Sequence, residues 1–154
     1  MKSVIEKLKK QEKSISTMES CTGGALASAI TDVNGASDVI KYSAVTYSNE
    51  FKIKMGVKKE VIDKYSVYST NVAEEMSFNI SKYTNSNYGI GITGKLNRAD
   101  KNNLYGEDNI VFISVYDKDN NKFYNEEIKV INKTRYQNKK LVIKKVIEML
   151  NNII

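Results

Sequence analysis

Val4, Ile5 and Leu8 share one face of a helical run, and their spacing predicts a first helix over residues 3–13. Ser3 and Glu6 form a capping-box pattern at its start. Residues 14–18 read as a short strand, and the Ala- and Ser-rich residues 22–32 return to helical character. After a turn at 33–36, broken at Asn34-Gly35, residues 37–48 carry Val39, Ile40, Tyr42, Ala44, Val45 and Tyr47. That run predicts a buried strand. Asn49 is the expected N-cap of a helical piece over 50–55, which Gly56 ends, and 58–65 form a second short helix. Ser69 opens a long helix to residue 86, with Val72, Met76, Ile80 and Tyr83 as its apolar stripe. Tyr88, Ile90 and Ile92 alternate in a strand over 87–93, whereas residues 95–109 are polar, Asn-rich and expected to be a mobile loop. Residues 110–116 and 123–130 predict a hairpin turning at 117–121. Thr134 and Gln137 then cap a closing helix buried through Ile143, Val146, Ile147 and Leu150.

Strands interleaved with helices, without repeat or linker, predict one domain over residues 1–154. The expected fold is α/β, a three-layer α/β/α domain with a mixed β-sheet. Two strand-to-helix junctions, at 17–24 and 45–52, lie where such folds place their chemistry.

Composition changes the picture mainly by what is missing. The chain has no histidine, which excludes Ser-His-Asp and Cys-His arrangements and His-liganded metals, and its one cysteine cannot build a cluster. A nucleophilic enzyme made from this chain needs Lys, Tyr or a carboxylate as its base. No metal or other cofactor is expected. The lone Cys21, the absence of an apolar run near ~20 residues and the lysine-rich start make a cytoplasmic protein, not a membrane one, the expectation. The net charge of +6 raises nucleic-acid binding as a third reading. The lysines are scattered, however, and solvated helix faces account for them better.

Thr17-Met-Glu-Ser-Cys-Thr-Gly-Gly24 gathers Ser20, Cys21 and Thr22 on a tight turn before a helix. Gly23 and Gly24 permit close backbone approach, and the first helical amides are free to face an oxyanion or a phosphate. The same residues also suit an ordinary capped helix start. Tyr47 falls at a strand end and Lys52 on the next helical turn, where a half-buried tyrosine and a solvated lysine are the plain alternatives.

Glu19-Ser-Cys-Thr-Gly-Gly24 together with Val45-Thr-Tyr-Ser-Asn-Glu-Phe-Lys52 resembles the carboxy-terminal domain of the competence/damage-inducible protein CinA. That domain also occurs alone as a nicotinamide-nucleotide amidohydrolase. The likeness extends to Thr31-Asp-Val33, Gly35-Ala-Ser37, Ser69, Thr93-Gly94 and Arg135. It implies hydrolysis of the carboxamide of nicotinamide mononucleotide to nicotinic acid mononucleotide and ammonia. Ser20 is then the nucleophile, Tyr47 and Lys52 its partners, and Tyr47 a proton relay. Thr22, Gly23, Gly24, Thr93, Gly94 and Arg135 are placed around the substrate, with the amides of 22–24 holding the oxyanion. The resemblance also implies a homo-oligomer. The chain departs from the family at Lys95-Leu-Asn-Arg98, where relatives carry Ile-Ala-Gly-Pro, and at Gly106-Glu-Asp-Asn109, where they carry Lys-Pro-Val-Gly. Lys95 or Arg98 is then the candidate replacement for a phosphate loop, and Lys139 stands at a second arginine position. These departures keep open a ligand-binding or regulatory module without catalysis.

Overall fold

The computed structural model describes residues 1–132 and 134–154. Five strands, β1 (Ile15–Glu19), β2 (Ile40–Val45), β3 (Tyr88–Gly94), β4 (Ile110–Asp117) and β5 (Lys122–Lys129), form one sheet in the order β2-β1-β3-β4-β5. β1 runs parallel to β2 and β3, and β4 and β5 are antiparallel additions. The sheet is therefore mixed. Alternation along β3 sets the two faces. Tyr88, Ile90 and Ile92 join Val111, Ile113 and Val115 under helices α1 (Lys2–Lys10), α2 (Ala25–Thr31) and α6 (Arg135–Ile153). On the other face α4 (Lys59–Tyr65) and α5 (Thr70–Thr84) enclose Met18, Val72, Met76 and Ile80.

Gly89 and Gly91, the β3 residues between those apolar positions, let α5 lie directly on the strand. A Cβ at Gly91 would stand 2.2 Å from the Ala73 carbonyl oxygen, and one at Gly89 2.0 Å from that of Ser77. Gly91→Ala is expected to lower stability by about 3 kcal/mol, because the helix must lift off the sheet. Chemical denaturation measures this, and a loss below about 0.5 kcal/mol would contradict the packing described.

Several boundaries differ from the sequence expectation. α1 starts at Lys2 with Met1 as its cap, so Ser3 lies inside the helix and the capping box does not form. α2 starts only at Ala25, because Gly24 sits at φ 92° outside the helix. Residues 36–38 wind into one 3-10 turn, and the strand begins at Ile40. β2 is also an edge strand, buried only at Ala44, so Tyr42 and Val45 face outward. In α3 (Asn49–Lys54) the cap is Ser48, whose Oγ accepts from the Phe51 amide, not Asn49. α5 closes at Thr84 because Asn85 turns to φ 55°. Ser69 and Thr134 do cap α5 and α6. Ile147 of α6 is only partly covered, while Val142 and Met149 are buried. Residues 95–109 are irregular but internally bonded: Lys95 N–H donates to Ile110 O and Arg98 N–H to Asp108 O, and Leu96 is buried in the core.

Candidate active site

Parallel neighbours on both sides of β1 make the carboxyl ends of β1, β2 and β3 the crevice of the sheet. Ser20 leaves β1 there, Thr46 and Tyr47 leave β2, and Lys95 leaves β3. Ser20, Tyr47 and Lys95, together with residues of α3 and the 95–103 segment, wall a cavity of about 490 Å³.

At its floor Lys52 is 1% exposed, and its Nζ lies 3.0 Å from Ser20 Oγ and 2.7 Å from the Thr46 carbonyl oxygen. α3 follows β2 after three residues, which turns Lys52 inward towards the end of β1. Burial pushes the Lys52 ammonium from 10.5 down to about 8, against smaller upward pulls from Cys21 and Asp100. The amine is thus neutral in a substantial fraction of molecules near pH 8, with its orientation held by Thr46 O. Such an amine can accept the Ser20 proton. Cys21, beside it, is buried, and its thiol is pushed up to about 12 chiefly by desolvation. A protonated thiol is a poor nucleophile.

The predicted residues divide into two groups. Ser20, Tyr47, Lys52, Gly94 and Arg135 line the cavity, as do Lys95 and Arg98. Thr22, Gly23, Gly24 and Thr93 do not line it. Thr93 Oγ1 is instead engaged by Val67 O, to which it donates at 2.9 Å. Two of the three amides expected to hold an oxyanion are already engaged, Gly23 N–H with Ser20 O and Gly24 N–H with Glu19 Oε2. Within the turn, the amides of Cys21 and Thr22 donate to no backbone acceptor among the described residues. Tyr47 is 64% exposed at the rim, where its hydroxyl accepts from Arg135 Nη2 at 3.2 Å; it makes no hydrogen bond to Ser20 or Lys52. Lys139 Nζ stands 3.1 Å from where a Gly23 Cβ would lie.

The 95–103 segment closes one wall. Asp100 accepts from the Tyr68 hydroxyl, from Asn103 Nδ2 at 2.9 Å and from the Asn102 amide. These bonds, the Tyr68 hydroxyl first, hold its carboxyl below the usual range. Asn103 in turn accepts from Asn49 at the start of α3. Lys95 is 3% exposed, with its Nζ 3.0 Å from Asp108 Oδ1 and 5.2 Å from the Tyr68 ring centre. Arg98 and Arg135 form no salt bridge among the described residues. Sequence reasoning missed Glu19, Thr46, Tyr68 and Asp100. Only Glu19 carried a signal, as an acid directly before a turn that opens a helix.

Fold and site together define a three-layer α/β domain with a buried Ser–Lys pair at the carboxyl edge of its parallel strands. The chain belongs to the CinA C-terminal domain family, whose model matches residues 1–154. It is 44% identical over 116 residues to a CinA-like protein of Flavobacterium psychrophilum, covering 73% of this chain and 27% of that protein. A CinA-like protein of Kosmotoga olearia is 45% identical over 92 residues, 59% of this chain and 22% of that one. The chain thus spans about a quarter of the length of the curated relatives it matches. Among solved structures, competence/damage inducible protein CihA from Agrobacterium tumefaciens superposes with a TM-score of 0.87 at 25% identity, covering 97% of this chain and 90% of that one. A CinA superfamily protein from Klebsiella pneumoniae gives 0.89 at 20% identity over 98% and 92%, a likeness of fold. No described helix is long and apolar enough to cross a membrane.

Proposed function

We propose that this domain is a serine amidohydrolase acting on the carboxamide of nicotinamide mononucleotide, with Lys52 as the general base. The observation that carries the reading is the 3.0 Å contact between Ser20 Oγ and the buried, low-pKa Lys52 amine. Ser20 Oγ attacks the carboxamide carbon while its proton passes to Lys52 Nζ. Collapse of the tetrahedral intermediate breaks the C–N bond, and the Lys52 ammonium returns that proton to the departing nitrogen, which leaves as ammonia. Water then attacks the seryl ester, again losing its proton to Lys52, and the carboxylic acid leaves as Ser20 recovers its proton. The amide of Cys21, a residue of the cavity lining, is the donor assigned to the oxyanion. No cofactor takes part.

Arg98 and Arg135, cations without a carboxylate partner at the rim, are assigned the phosphate, and Tyr47 steadies the Arg135 guanidinium. Lys95 is committed to Asp108 and Tyr68. Arg98→Ala is therefore expected to raise KM for nicotinamide mononucleotide about tenfold with kcat nearly unchanged, the mark of uniform binding. Steady-state kinetics read this split, and an unchanged KM would return the phosphate to other groups. The reading itself is tested by ammonia release from nicotinamide mononucleotide by the wild-type domain near pH 8; absence of turnover removes it. The rewritten 95–109 loop favours a second reading, a binding or regulatory module. Thermal stabilisation by the nucleotide without ammonia release selects that one. The domain is proposed to work in the cytoplasm as a homo-oligomer without nucleic acid.

A further inference from the structure

We propose that Glu19 is a positioning residue for the Ser20 nucleophile. The proposal rests on Ser20 being the reacting group. Glu19 is 1% exposed, and among the described residues no Lys or Arg pairs with it. Its charge is instead met by donors of the turn and of α2. Oε2 accepts from Thr22 Oγ1 at 2.6 Å, from Gly24 N at 3.2 Å and from Leu26 N at 3.1 Å, and Oε1 accepts from Ala27 N at 2.9 Å. A buried carboxylate is tolerated where several N–H groups and a helix N-terminus face it. The usual anion seat at the start of α2 is thereby filled by the protein's own side chain. An incoming ligand must use what remains, which in this turn is the amide of Cys21, the residue of the pair that lines the cavity.

The main chain of Glu19 completes the device. Its carbonyl accepts from Thr46 N at 2.8 Å, the Thr46 carbonyl accepts from Lys52 Nζ at 2.7 Å, and Lys52 Nζ meets Ser20 Oγ at 3.0 Å. Ser20 is covalently joined to Glu19, so the four residues close a ring. The Ser20 amide is itself held by Ile92 O at 3.0 Å. With the strand side fixed in this way, the free variable is the turn from 20 to 24, and the Glu19 carboxylate is what clamps it to α2. Loss of the clamp lets Ser20 Oγ drift relative to Lys52, and a shift of about 1 Å costs on the order of 100-fold in rate.

The test uses Ser20 reactivity, which needs no knowledge of the natural substrate. Phenylmethylsulfonyl fluoride sulfonylates a serine: the Oγ–S bond forms, the S–F bond breaks, and the Oγ proton leaves through the base to be released with fluoride. Labelling of Ser20, followed by intact and peptide mass against pH, is compared in wild type, Glu19→Gln and Thr22→Val. In Glu19→Gln one oxygen still accepts, but the amide NH2 faces a backbone donor. Thr22→Val removes only the 2.6 Å bond. The expected result is a labelling rate at least tenfold lower in Glu19→Gln and several-fold lower in Thr22→Val, both variants remaining folded by circular dichroism. The pH midpoint stays near that of wild type, because Lys52 is untouched. Folded variants that label at the wild-type rate, whatever their melting temperature, overturn the proposal and leave the hydrolase reading standing. Wild-type Ser20 that resists labelling while Lys52 is intact overturns the nucleophile assignment, and this proposal with it.

Discussion

Lys52→Met is expected to cut amide hydrolysis by about three orders of magnitude or more while raising the melting temperature by a few degrees. The loss follows from the chain having no histidine and from no other described base touching Ser20 Oγ. Removing one member of a nucleophile–base pair typically leaves only the catalysis supplied by binding and oxyanion contacts. The gain in stability comes from the same burial that makes the base useful. The fall from 10.5 to about 8 means that the folded state holds the Lys52 proton less tightly than the unfolded chain does. Below about pH 8 the folded protein bears the full cost of that depression, about 3 kcal/mol. Between about 8 and 10.5 the unfolded chain binds more protons, so this group makes stability rise with pH. Methionine removes the cost and gives up the bonds to Thr46 O and Ser20 Oγ, together about 1–2 kcal/mol. The net gain at pH 7 is about 1–2 kcal/mol.

The same ionisation sets the rate profile. Wild-type kcat/KM should climb with pH and level off above about 8, since only the neutral amine takes the Ser20 proton. Differential scanning calorimetry and the pH–rate curve check the two halves independently. A Lys52→Met variant that melts lower than wild type would mean that the buried amine supports the fold more than it strains it.

How much of this was legible in the sequence varies by element. Tyr88, Ile90 and Ile92 alternate clearly, so β3 was readable as a strand. The glycines between them were not readable as a seat for α5, because that contact joins residues far apart in the chain. β2 looked buried because Val, Ile and Tyr are favoured in any strand; being at the edge is a property of the sheet order, which residue type does not encode. Ser20 and Lys52, 32 positions apart, share no local pattern. They were paired only through motif resemblance. Glu19 is legible only as an acid before a helix start; that α2 aims the Leu26 and Ala27 amides at it emerges from the fold. Lys95 and Arg98 were interchangeable as charges, and the position of Asp108 separates them.

Ser20→Ala should lose at least about a thousandfold in ammonia release and keep its affinity for the nucleotide. Ser20 Oγ lies 3.0 Å from the buried Lys52 amine, and the side chain is otherwise small enough that alanine leaves the turn unchanged. Lys52 retains its bond to Thr46 O, so the site stays ordered. The phosphate contacts proposed for Arg98 and Arg135 do not involve Ser20, which is why binding and turnover are expected to separate. Cys21→Ala is the matching control. Its thiol is pushed up to about 12, so its loss should change turnover no more than about threefold. Isothermal titration of Ser20→Ala with nicotinamide mononucleotide measures the retained affinity, and product analysis measures the lost chemistry. If Ser20→Ala kept more than a tenth of wild-type activity, water activated directly by Lys52 would replace the seryl ester as the route. If Cys21→Ala were the inactive variant instead, the nucleophile would be the neighbouring thiol, drawn to its thiolate by substrate binding.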